Sequence, residues 1–127
     1  MTMRTVRIES LKNQAVIADK CQVADTFVSR FFGLMGKSGL EAGEGLWLRP
    51  SNSIHMWFMR FPIDVLFVRA EKRDAGKIVV KVYSAHGNVR PWRILPLGNW
   101  RAKDAIELPA GTLGRCLIES GDELCIS

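Results

Sequence analysis

Short runs of alternating or continuously apolar positions, the patterns of strands, recur along the chain. Residues 4–8 place Val6 and Ile8 on one face, and 14–19 hold the run Ala15-Val16-Ile17-Ala18; both read as short strands. A helix is expected from Asp25 as N-cap through Phe32, because Phe27, Val28, Phe31 and Leu34 recur at helical spacing. Its apolar side is expected to face the core, with Gly33 and Gly36 ending it. Five glycines between positions 33 and 45 make that stretch a turning segment. Strand patterns return at 46–48, 54–58 and 63–68. A polar turn over 70–76 leads into 77–83, where Ile78, Val80 and Val82 share a face and form a hairpin with 63–68. Residues 84–103 contain Gly87, Pro91, Pro96 and Gly98 and read as a long irregular loop. Strands at 105–108 and 123–126 enclose a short helix over 112–117. Seven or eight strands against one or two short helices predict a mostly β (α+β) fold, a small barrel- or sandwich-like domain.

Length makes that one domain over residues 1–127, since two cores in 127 residues would both be too small. With 47% apolar and 24% charged residues, the composition excludes wholesale disorder, collagen and a disulfide scaffold. No apolar run approaches the ~18 residues of a membrane span. The N-terminal residues lack an apolar signal region, so the expected location is the cytoplasm, or outside the cell for a secreted protein cloned without its signal. Cys21, Cys116 and Cys125 are odd in number and far apart, which predicts free thiols buried as small hydrophobes.

The net charge of +5 is uneven. Residues 60–103 carry ten Lys or Arg and three acids, whereas 104–127 carry one Arg and five acids. A basic face or two complementary segments are the readings. Arg90-Pro91-Trp92-Arg93 and Trp100-Arg101-Ala102-Lys103 interleave cations with indoles. Such residues suit single-stranded nucleic acid, and equally a loop folded back over the core, which is preferred because no RNA-binding signature is present.

Four segments in order are similar to the domain-of-unknown-function family 192, also called UPF0127. They are Arg30-Phe31-Phe32-Gly33-Leu34-Met35, then Gly43-Glu44-Gly45, then His55-Met56-Trp57-Phe58-Met59 with Pro62-Ile63-Asp64-Val65-Leu66-Phe67-Val68, and last Ile106-Glu107-Leu108-Pro109-Ala110-Gly111 with Gly121-Asp122. The resemblance implies a compact, mostly β domain with a short helix and no assigned activity.

Candidate chemistry centres on a few polar residues in apolar contexts. Asp64 sits in a strand whose two faces both look buried, so its carboxylate needs a partner. Backbone amides or Arg30 are the expected partners, and a structural role is preferred to that of a general base. His55 shares a face with Trp57 and can line a pocket or bond a backbone carbonyl. Glu44, between two glycines, reads as a turn cap or ligand anchor, and Glu107 as an outward residue of an alternating strand. No metal-ligand spacing, nucleophile elbow or phosphate loop is present, so neither metal nor cofactor is expected. The leading reading is a non-catalytic domain binding a small ligand or protein partner in a groove near His55, Trp57 and loop 84–103, with Asp64, Glu44, Trp92 and Glu107 as further candidates. The alternative is a small hydrolase or isomerase using His55 and a carboxylate as an acid–base pair.

Overall fold

The structure is a computed structural model and describes residues 3–127. The alternating segments become β1 (Thr5–Ser10), β2 (Val16–Ala24), β3 (Glu44–Leu48), β4 (Ser53–Ile54), β5 (Ile63–Asp74), β6 (Lys77–Val89), β7 (Leu97–Gly98), β8 (Asp104–Pro109) and β9 (Glu123–Ile126). Two short helices, α1 (Phe27–Phe32) and α2 (Thr112–Cys116), interrupt them. Seven strands close into a barrel in the order β1-β2-β3-β8-β5-β6-β9, and β9 pairs back onto β1. The β2–β3 pair is parallel, and the crossover between them carries α1 and the glycine-rich turns. β4 and β7 form a separate two-stranded ribbon. Of the two β architectures expected, the barrel is the one formed.

Period-two alternation sorts the side chains into two apolar layers. Ile8, Ile17, Trp47, Leu66, Val68, Val80, Ile106, Leu108 and Leu124 fill the barrel interior. Ala105, Leu46, Leu48, Ile63, Val65 and Phe67 point outward from β8, β3 and β5, yet are buried, because Leu34, Ile54, Met56 and Ala102 lie over them. The outer face of this wall is therefore a second core. At about 25 cal/mol per Å² of apolar surface removed from water, both layers contribute to stability.

Several expectations give way to the structure. Both hairpin strands run to the turn itself, so the turn is only Ala75-Gly76 at φ of 51° and 80°, a left-handed pair that glycine eases. β6 continues to Val89, where a loop was expected; Gly87 and Asn88 break its alternation but not its pairing with β5. Residues 54–58 are not a strand beyond Ile54: Phe58 has a φ of 63°, and the Met59 N–H closes a turn onto Met56 O. Thr26, not Asp25, caps α1, in a reciprocal capping box with Ser29. No residue of α1 is buried, so the apolar side expected to face the core faces outward.

The three thiols are free, but they are not alike: Cys21 and Cys116 are buried, while Cys125 is only half-buried, correcting the expectation for that residue. Burial pushes the Cys21 thiol up to about 12, which removes its reactive thiolate form. Native protein is therefore expected to give one fast-reacting thiol, Cys125, with Cys21 and Cys116 labelled only on unfolding. Peptide mapping after a short exposure to a thiol reagent checks this; equal labelling of Cys21 and Cys125 contradicts the packed interior.

Candidate functional site

Asp64 faces into one end of the barrel, on the same side of β5 as Leu66 and Val68. The backbone N–H groups of Asn88, Gly111 and Leu113 donate to its carboxylate at 2.8, 3.1 and 2.9 Å. It thus ties β6 and the start of α2 to β5. Arg30 is not its partner: the guanidinium donates instead to the carbonyls of Asp25 and Arg49 at 3.3 and 3.1 Å. Of the two partners expected for Asp64, the backbone amides are the ones it has. With all its contacts to backbone, it stands as a structural tie.

Glu107 follows a different course. Its strand alternates as expected, with Ile106 and Leu108 inward and Glu107 outward, but outward here means into the second apolar layer. The side chain is 5% exposed and makes no hydrogen bond among the described residues. Burial pushes its carboxyl up to about 8, so it is mostly protonated at neutral pH. The carboxyl looks into a cavity of about 60 Å³, enough for a few water molecules or a small ligand group. Gly33, at the end of α1, borders the carboxyl, since a Cβ there would make ordinary contact with Glu107 Oε1 at 3.8 Å.

His55 lines the same cavity. Its ring centroid lies 5.0 Å from Trp57 and 6.4 Å from Phe31. Its Nδ1 is buried and has no hydrogen-bond partner among the described residues. Arg30, Phe31 and Met59 also line it. The residues around the cavity thus include a neutral carboxylic acid, a histidine and an arginine among mostly apolar side chains. That donor set suits a compact ligand with a carboxylate or carbonyl acceptor. A histidine and a carboxylic acid lining one cavity are also the residue types of an acid–base pair.

The remaining candidates lie elsewhere. The Glu44 carboxylate accepts from the Glu41 N–H at 2.8 Å, the turn cap expected of it, and borders a different cavity with Lys20 and Lys37. Trp92 lies under the Arg90 guanidinium at 5.2 Å, in a more open cleft of about 490 Å³ with His86 and Arg93. Loop 90–96 does reach the site at one point, where the Trp57 indole N–H donates to the Ile94 carbonyl at 3.3 Å. Arg30, Phe31, Gly33 and Met59 were not read as site residues from the sequence. Their signal was position: they lie within the same short segments as His55 or the Arg30–Met35 motif. Another buried acid, Asp104, is engaged by the Trp47 indole at 3.2 Å and by Arg49 at 3.3 Å, which marks it as structural.

The family model that matches this chain is DUF192, described as Uncharacterized ACR, over residues 7–126. A UPF0127 protein of Thermococcus sibiricus is 37% identical over 111 residues, covering 83% of this chain and 64% of its own length. UPF0127 proteins of Pyrococcus furiosus and Pyrococcus abyssi are each 34% identical. These alignments cover 80% and 83% of this chain, and 81% and 84% of the relatives. Among solved structures, a protein of unknown function from Novosphingobium aromaticivorans shares the fold with a TM-score of 0.76 at 21% identity, over 96% of this chain and 84% of that one. A Sinorhizobium meliloti protein named as a proposed transcription regulator also scores 0.76, at 22% identity, over 98% of this chain and 95% of that one. At these identities the likeness is one of fold alone.

Proposed function

We propose, from the premise that the chain belongs to the DUF192 family, whose role is uncharacterised, that it is a binding domain for a small acceptor-bearing ligand. The ligand lies in the cavity between α1, the His55 turn and β8. One observation carries this reading: Glu107, buried, and His55, whose buried Nδ1 has no hydrogen-bond partner among the described residues, line a single cavity. Burying polar atoms unpaired costs about 1–3 kcal/mol each, a cost that a ligand's own polar groups would remove. Protonated Glu107 donates to a carboxylate or carbonyl oxygen, Arg30 supplies positive charge, and Phe31 and Met59 pack against the ligand's apolar part.

Short aliphatic carboxylates and amides are the probes. In two-dimensional NMR they are expected to shift the resonances of His55 and Gly33 in a saturable way, and the shifts are expected to vanish in His55→Ala. Affinity is expected to fall as pH rises through about 8, where Glu107 loses the proton it donates. Shifts of equal size in His55→Ala, or none at millimolar probe, would sink the proposal. The acid–base alternative has the same pair of side chains in its favour. Slow conversion of a bound ester or amide, abolished by Glu107→Gln, would favour it over binding alone.

A further inference from the structure

The outward side of α1 belongs to a larger surface. Phe27 stacks with Phe31 at 6.4 Å, and Phe31 meets Phe32 edge-on at 5.4 Å. Phe31 then leads through His55 to Trp57, and Trp57 is bonded to Ile94. Phe58 and Leu95 adjoin the last two residues in the chain. Three separate segments thus build one continuous apolar surface. Phe27, Phe58, Ile94 and Leu95 are each more than 70% exposed, and Trp57 and Phe31 more than half. An exposed apolar surface of this kind marks an interaction site.

The charge around it is predominantly positive. Segments 26–37, 49–63 and 84–103, which contribute to this face, contain two, two and four Lys or Arg and no Asp or Glu, although Arg49 is paired with Asp104 and the exposed Asp25 precedes the first of them. A second copy of the same face would be repelled by those charges. Nucleic acid would use the indoles, guanidiniums and the Phe58 ring, but would gain nothing from the exposed aliphatic Ile94 and Leu95. Aromatic and aliphatic tips ringed by arginines match the interfacial region of a bilayer with anionic headgroups. We infer that this face docks peripherally onto an anionic lipid surface, inserting Phe58, Ile94 and Leu95 below the headgroups while Arg60, Arg90 and Arg93 pair with lipid phosphates. No helix among the described residues is long and apolar enough to cross a membrane, so the contact is one of lying on the surface.

Co-sedimentation of the full chain with vesicles of phosphatidylglycerol and phosphatidylcholine tests this, with pure phosphatidylcholine vesicles alongside. Binding to the anionic vesicles is expected, with a blue shift of tryptophan emission and marked weakening at 0.5 M salt (roughly a threefold shorter screening length than at 0.05 M). The exposed-residue variant Phe58→Ser with Ile94→Ser is expected to keep its circular dichroism spectrum and to partition about tenfold or more weakly. Arg60→Glu with Arg93→Glu is expected to abolish the preference for anionic vesicles. Absence of binding to anionic vesicles at low salt overturns the inference. So does unchanged partitioning of the Phe58→Ser, Ile94→Ser variant. Tight binding of an oligonucleotide or an acidic protein by this face, without vesicle binding, overturns it as well.

Discussion

Asp64→Ala is expected to destabilise the protein by about 3–5 kcal/mol and to lower its melting temperature by some 12–20 degrees, at roughly 4 degrees per kcal/mol. Three backbone N–H groups share this one carboxylate, and hydrogen bonds to a charged acceptor are the stronger kind. Removing it leaves the Asn88, Gly111 and Leu113 amides without their acceptor at the end of the barrel where α2 packs. Asp64→Asn keeps one acceptor oxygen and is expected to lose roughly half as much. Arg30→Met is expected to add its own effect to that of Asp64→Ala without coupling, because the two side chains have no partner in common. Thermal or urea denaturation of the single and double variants checks both points. A coupling above about 0.5 kcal/mol would restore the ion pair that the geometry rejects.

The second large effect is one of pH. Glu107 has an ordinary carboxyl near 4.5 in the unfolded chain and about 8 in the folded protein. Between those values the folded protein holds a proton that the unfolded chain has released. The stability associated with neutral Glu107 is therefore complete below about pH 4.5 and is lost as pH rises to about 8. The decline is of order 3–5 kcal/mol over that window. Burial also raises the carboxyl of Asp104, against the opposing pull of Arg49 and Trp47, and this adds a decline of the same sign. Glu107→Gln is expected to remove the Glu107 share and flatten the profile, and Glu107→Leu to raise stability at pH 8 outright. A pH profile of urea midpoints for the three proteins is the measurement. A slope unchanged in Glu107→Gln would mean that the carboxyl is solvated in the folded state. A gain in stability on removing a polar side chain from a cavity is the pattern expected of residues kept for function.

The barrel was legible because short strand-like runs recur along the chain, alternating with a period of two in β1, the first half of β6 and β8, and continuously apolar at the start of β5. What alternation could not convey is what covers each side of a strand. It placed Glu107 outward, correctly, but an outward side chain of β8 lies beneath Leu34 and the His55 turn, which come from remote parts of the chain. The helical spacing of Phe27, Val28 and Phe31 identified α1 in the same limited way: a period of 3.6 defines a stripe and does not say whether anything packs on it. The partners of Asp64 were hidden for another reason. Backbone amides carry no side-chain signature, so a carboxylate held by Gly111 and Leu113 looks from the sequence like one in need of an arginine. Gly87 misled in the opposite direction, since a glycine within a bulged strand reads as a loop. His55 and Trp57 were read on a common strand face; their rings do lie together, though on a turn.

The pairing of β1 with β9 has a consequence for how the chain is made. Ile8 lies opposite Ile126, nearly the whole chain away, and Arg7 and Ser127 exchange backbone hydrogen bonds at 2.8 and 2.9 Å. During synthesis from the N-terminus, β1 can pair early with β2, but its other edge has no partner until β9, the last strand of the barrel, has emerged. The barrel is thus a ring whose clasp is the last of its strands to be made. Until then the nascent protein carries an open strand edge and an uncapped interior, the two features that most invite pairing with other chains. Closure across such a long separation also places the protein among slow-folding topologies, whose partly assembled forms depend most on protection as they leave the ribosome.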